Sequence, residues 1–135
     1  MMRNYLRFEM EESKPLIYGL NPLYRSHAKL FADKVREDGN LSKKVKALYL
    51  FGSVVKNKPN PSDIDIFIDA EDLSEIDTQK IMQIKSQVEV DLKTAIKSEN
   101  PEAHNQRYSI PILVEINKYK LWEQVTKWNE PRIEL

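Results

Sequence analysis

Val45-Lys46-Ala47-Leu48-Tyr49-Leu50-Phe51-Gly52-Ser53 and, after nine intervening residues, Asp63-Ile64-Asp65-Ile66-Phe67-Ile68-Asp69 decide the fold. The first stretch is short and nearly continuously apolar, with β-branched and aromatic residues, which predicts a buried strand that Gly52 ends. Lys56-Asn57-Lys58-Pro59-Asn60-Pro61-Ser62 is too dense in turn formers to continue a strand or a helix. The second stretch alternates strictly. Ile64, Ile66 and Ile68 take one face of a strand, and Asp63, Asp65 and Phe67 take the other. Two aspartates at period two have Cα atoms about 6.5 Å apart. Their carboxylates repel unless a cation or proton intervenes. Oxygen ligands without His or Cys nearby select Mg²⁺ or Mn²⁺ over Zn²⁺.

Outward from this centre, Asn21-Pro22 opens a helix expected over about 22–38, with apolar Leu23, Leu30, Phe31 and Val35 and a C-terminal cap at Gly39. Ser74 and Asp77 form a weak capping box for a second helix, striped by Ile76, Ile81, Ile84 and Val88. Val88 to Lys93 alternates again and reads as a third strand, with Glu89, Asp91 and Lys93 on one face. Residues 97–107 read as a loop. Ser109 to Ile116 reads as a short helix or a strand, with Pro111 against a central strand. Tyr119 to Trp122 suits a small final strand, and a tail follows from about Asn129. Residues 1–20 show no clear period. Helices and strands interleave around one sheet, so the fold class is α/β (α+β). The expected organisation is one domain over residues 1–135, with a core over 22–123 and the ends as arms.

If the strand carrying Asp91 lies beside the one carrying Asp63 and Asp65, three carboxylates meet over one patch of sheet. Such a patch suits two metal ions about 3.5–4 Å apart, the arrangement that clamps both oxygens in phosphoryl transfer. Gly52 permits close backbone approach, and Ser53 offers a hydroxyl and an N–H to phosphate oxygens. Lys56 and Lys58 lie on the following loop and can offset triphosphate charge.

Leu50-Phe51-Gly52-Ser53 followed by Ser62-Asp63-Ile64-Asp65-Ile66 resembles the signature of the DNA polymerase β-type nucleotidyltransferase superfamily. Val88-Glu89-Val90-Asp91-Leu92-Lys93-Thr94 is similar to the third-strand segment of its minimal members. The resemblance covers about residues 45–94. It implies a small mixed β-sheet with helices packed mainly on one face. It implies that Asp63, Asp65 and Asp91 bind metal, that Asp91 also helps deprotonate an attacking hydroxyl, and that Gly52 and Ser53 hold the β- and γ-phosphates of ATP or another nucleoside triphosphate. Many minimal members carry an arginine and a glycine shortly after Gly-Ser. Here Val54, Val55, Lys56 and Asn57 stand there, which leaves phosphate binding to lysines. The smallest relatives often pair with a HEPN-domain protein in toxin–antitoxin modules, so the resemblance implies AMP transfer to a partner protein. The altered loop supports an alternative, a binding module that neutralises its partner by contact alone.

Composition narrows the classes further. Lys+Arg and Asp+Glu are both 21, so a bulk polynucleotide binder is disfavoured. There is no cysteine, which excludes disulfides, thiolate metal sites and cysteine nucleophiles. No apolar run reaches the length of a membrane span, so the expected location is cytoplasmic. His27 and His104 lack a metal-ligating partner at helical spacing. Trp122 and Trp128 read as packing or interface residues. Aromatic residues near both ends suit a homodimer.

Overall fold

A computed structural model describes residues 20–59, 61–99 and 110–135. In chain order its elements are helix α1 (Asn21–Glu37), the one-turn helix α2 (Leu41–Lys44), strands β1 (Val45–Phe51) and β2 (Ile64–Ala70), helix α3 (Glu75–Glu99), strand β3 (Ile112–Ile116), helix α4 (Tyr119–Lys127) and strand β4 (Arg132–Glu134). The strands form one mixed sheet in the order β3-β2-β1-β4. β3 runs parallel to β2; the other neighbours are antiparallel. This is the mixed α/β class expected from the sequence.

Strand alternation divides the sheet into two faces. Leu48, Leu50, Ile64, Ile66, Ile68 and Ile112 point to one face and are fully buried. α1 covers this face with Tyr24, Ala28, Phe31, Ala32 and Val35, and α3 with Ile81, Val88, Leu92 and Ile96. Burying each large side chain stabilises the fold by about 1.5–3 kcal/mol, which makes this layer the main source of stability. The second face carries Tyr49, Phe51 and Phe67, and α4 packs Leu121, Trp122 and Val125 against them. Trp122 stacks on Phe67 with ring centroids 4.6 Å apart and planes 3° from parallel. Two helices on one face and a short third on the other match the expectation of helices mainly on one face.

Several local expectations are corrected. The strand expected over Val88 to Lys93 is the middle of α3, which runs unbroken for 25 residues. Ser74 and Asp77 do form the capping box. Ser74 N–H donates to Asp77 Oδ2 at 3.0 Å, and Asp77 N–H donates to Ser74 Oγ at 3.1 Å. Lys44 also donates to Asp77, at 2.6 Å, and these bonds hold the buried carboxyl down at about 2. Gly39 is not a left-handed cap, since among the described glycines the positive φ belongs to Gly52. The end of α1 is instead closed by Asp38, whose N–H donates to Val35 O at 3.3 Å, while its Oδ1 accepts the N–H groups of Asn40 and Leu41 at the start of α2. Tyr119 to Trp122 opens a helix rather than forming a strand, and the expected tail contains β4. Residues 1–19 and most of the expected 97–107 loop lie outside the described residues. No helix among the described residues is long and apolar enough to cross a membrane.

Candidate active site

The site lies where β1 ends and β2 begins, on the face that carries α4. β1 and β2 are antiparallel with Phe51 opposite Asp65, so the turn after β1 sits beside the first residues of β2. Gly52 adopts φ +81°, a left-handed conformation that an L side chain rarely takes. It is also sterically required, because a Cβ there would overlap Asp65 Oδ2. The glycine thus lets the backbone close directly on the aspartate carboxyl.

From Gly52 the chain makes one helical turn. Lys56 N–H donates to Gly52 O at 3.1 Å, Asn57 N–H to Val54 O at 3.2 Å and Lys58 N–H to Ser53 O at 3.0 Å. Asn57, at φ 58°, supplies the left-handed residue that this crossed closure needs. Lys56 is the first amide to find an acceptor inside the turn, so the earlier N–H groups are left for other acceptors. Ser53 is half-buried at the start of the turn and Lys58 is exposed at its end. Lys56 Nζ lies 2.9 Å from Glu130 Oε1, so part of its charge is spent on the segment leading into β4. β4 in turn sets Arg132 opposite Phe51.

Asp63 and Asp65 are brought together as the alternation predicts. Asp65 is pushed up to about 7, first by burial, then by the charge of Asp63, a hydrogen bond shared with Asp63, and the charge of Glu115. Glu115 is the residue that sequence reasoning missed. β3 pairs Leu113 with Asp65 and Glu115 with Phe67, which sets Glu115 on the carboxylate face one step along from Asp65. Its signal was present in Ile112-Leu113-Val114-Glu115-Ile116, an alternating run with one acid on the minority face.

Asp91 is not brought to this group. It projects from α3, on the layer covering the opposite face, and its Oδ2 lies 2.9 Å from His27 Nε2 on α1. His27 is buried there, with Nδ1 2.9 Å from Leu23 O. The neighbouring Glu89 accepts from the Ile112 N–H at 2.8 Å and so anchors β3 to α3.

Among the described residues, no three His, Cys, Asp or Glu side chains stand close enough as they are to hold a metal ion. The donor chemistry nevertheless fits a hard divalent cation. Asp63, Asp65 and Glu115 offer oxygen atoms only, and burial together with the charges of Asp63 and Glu115 disfavours the ionised form of Asp65 unless a cation or proton intervenes.

No curated protein and no solved structure matches the chain. The family model described as "Polymerase beta, Nucleotidyltransferase" matches residues 33–119, more than half of the chain. That segment spans β1, the Gly52 turn, β2, α3 and β3, the elements that bring Gly52, Asp63, Asp65 and Glu115 together. The chain belongs to the polymerase beta nucleotidyltransferase family.

Proposed function

We propose that this protein transfers a nucleoside monophosphate, AMP from ATP, to an acceptor hydroxyl on a partner protein, using Mg²⁺ or Mn²⁺. The observation that carries this reading is the crowding of Asp65 by Asp63 and Glu115 against the side-chain-free Gly52. Asp63, Asp65 and Glu115 are the residues that would hold the cation. When bound, it would neutralise phosphate charge and stabilise the attacking and leaving oxygens.

The remaining work falls to the chain's own groups. The N–H groups at the start of the Gly52 turn, which have no backbone acceptor among the described residues, and the Ser53 hydroxyl bind the β- and γ-phosphate oxygens. Lys58 and Arg132 flank them with positive charge, and Lys56 contributes less because Glu130 holds it. The acceptor oxygen forms its bond to the α-phosphorus as the bond to the bridging oxygen breaks, and pyrophosphate leaves. The hydroxyl proton passes to a carboxylate oxygen of the acidic group. The contribution of the fold is mainly alignment and charge placement.

The family's small members motivate a HEPN-domain toxin as the acceptor, with this protein as the antitoxin. Incubating the protein with Mg²⁺, labelled ATP and the product of a neighbouring HEPN gene should label the partner. An unlabelled partner, or labelling that survives Asp63→Ala combined with Asp65→Ala, would sink the proposal.

A further inference from the structure

The Gly52 turn has two ends, and the carbonyl end is held by a residue outside the segment the family model matches. Arg25 reaches across from the first turns of α1. Its Nη2 donates to Asn57 Oδ1 at 2.9 Å and to Val55 O at 3.1 Å, with a longer contact to Val54 O at 3.4 Å. One helical turn below, Asn21 Nδ2 donates to Lys58 O at 3.3 Å. Val55 O and Lys58 O are carbonyls that no backbone N–H of the turn reaches, Val54 O is shared with the Asn57 N–H, and Asn57 Oδ1 belongs to the left-handed closing residue.

The guanidinium is not part of an ion pair among the described residues, and its Nε is buried without an acceptor. Leaving a buried donor unpaired costs about 1–3 kcal/mol, so packing alone is a poor reason for an arginine at this position. A cation at the carbonyl end of the turn opposes the partial negative charge there and holds the turn in one orientation. With the carbonyls fixed to α1, the free N–H groups at the other end keep a constant aim.

We infer that Arg25 is a positioning residue for the nucleotide: it clamps the Gly52–Lys58 turn to α1 so that the turn's opening N–H groups face the triphosphate. The inference rests on the nucleotidyltransferase reading. The guanidinium arrives from α1 and acts through the backbone of the turn.

Two readouts test it on the full chain. Arg25→Ala should weaken ATP binding in the presence of Mg²⁺ by about tenfold, as expected for losing a charge-assisted clamp on a binding turn. The effect should fall on KM rather than on kcat at saturating ATP. Arg25→Lys should fall between, because an ammonium keeps the charge but loses the planar fork. In nucleotide-free protein, the Lys56, Asn57 and Lys58 amides should exchange with solvent faster in Arg25→Ala than in wild type. His27→Gln loosens α1 at a different contact and should leave both readouts unchanged, which separates positioning from general destabilisation. Turn amides that stay protected in Arg25→Ala, or an ATP affinity that does not move, overturn the inference. If wild type itself binds no ATP with Mg²⁺, the nucleotidyltransferase reading fails, and amide exchange alone decides whether Arg25 holds the turn.

Discussion

The two faces of the sheet share one backbone and differ in what covers them. The face under α1 and α3 is closed: its strand residues are apolar, with Leu48, Leu50, Ile64, Ile66, Ile68 and Ile112 fully buried and Val114, Ile116 and Ile133 partly buried. The face under α4 is divided. Its middle is filled by Tyr49, Phe51 and Phe67 against Trp122, and the end where β2 begins carries Asp63 and Asp65 with Glu115 nearby. Helix length explains the difference. α3, with 25 residues, is about 37 Å long and overruns any strand of the sheet. α4, with nine, is about 14 Å long, whereas the seven residues of β2 span about 23 Å. A helix that short cannot cover β2 from end to end, and the uncovered end is acidic. The sheet therefore draws stability from one face and leaves part of the other free for charge.

The largest effect expected from this division is on stability. Phe31 is fully buried on α1 against the closed face. Phe31→Ala should cost about 3–5 kcal/mol in chemical denaturation, through lost burial and a cavity. Well below its melting temperature the variant should keep the wild-type KM for ATP. A raised KM would show that the closed layer also tunes the site, and would break the division.

The next effect separates the two candidates for the third carboxylate. Glu115→Gln should lower transfer by about 10²-fold, the scale of removing one electrostatic stabiliser from a reacting centre. Asp91→Asn should change it by less than about twofold while weakening the bond to His27 by about 1 kcal/mol or less. Assays of the two variants side by side decide the matter, and the reverse order of effects would return the role to Asp91.

That pair also shows how far the sequence could be read. β1, β2 and the capping box at Ser74 were legible because alternation, chain punctuation and side-chain chemistry agreed there. Val88-Glu89-Val90-Asp91-Leu92 was ambiguous, since Val88 and Leu92 are four apart and satisfy a helical stripe as well as an alternating one. Val90 resolves it. A two-sided strand would bury Val90 with its neighbours, yet it is 66% exposed, as a helix requires at that angle. Glu115 was missed because Pro111 argued against a central strand. β3 lies at the edge of the sheet, and Pro111 stands just before it, where its missing N–H costs nothing and its carbonyl accepts from Ile64 N–H. Strand order, which decides which acids meet, depends on contacts between distant segments. No local pattern encoded it.

The smallest effect is the one most specific to the open face. Burial and the charge of Asp63 push Asp65 from 3.8 up to about 7, so the folded protein keeps a proton that the unfolded chain loses near pH 4. The ionised form is disfavoured by folding. Without divalent cations, stability should therefore fall as pH rises from about 4 to about 7 and level off above. Asp65→Asn replaces the carboxyl with a neutral group of the same shape and should remove this slope. At pH 3, below the unfolded value of 3.8, the variant should match wild type. At pH 8 it should be more stable by about 1 kcal/mol, a gain limited by the solvent that screens a half-exposed group. Added Mg²⁺ should close the gap by stabilising wild type and should do little for the variant, because a ligand stabilises only the fold that binds it. Denaturant midpoints at the two pH values, with and without Mg²⁺, measure all of this. If Asp65→Asn proved less stable than wild type at pH 8, the acidic end would be supporting the fold, and the contrast between the two faces would fail where it is sharpest.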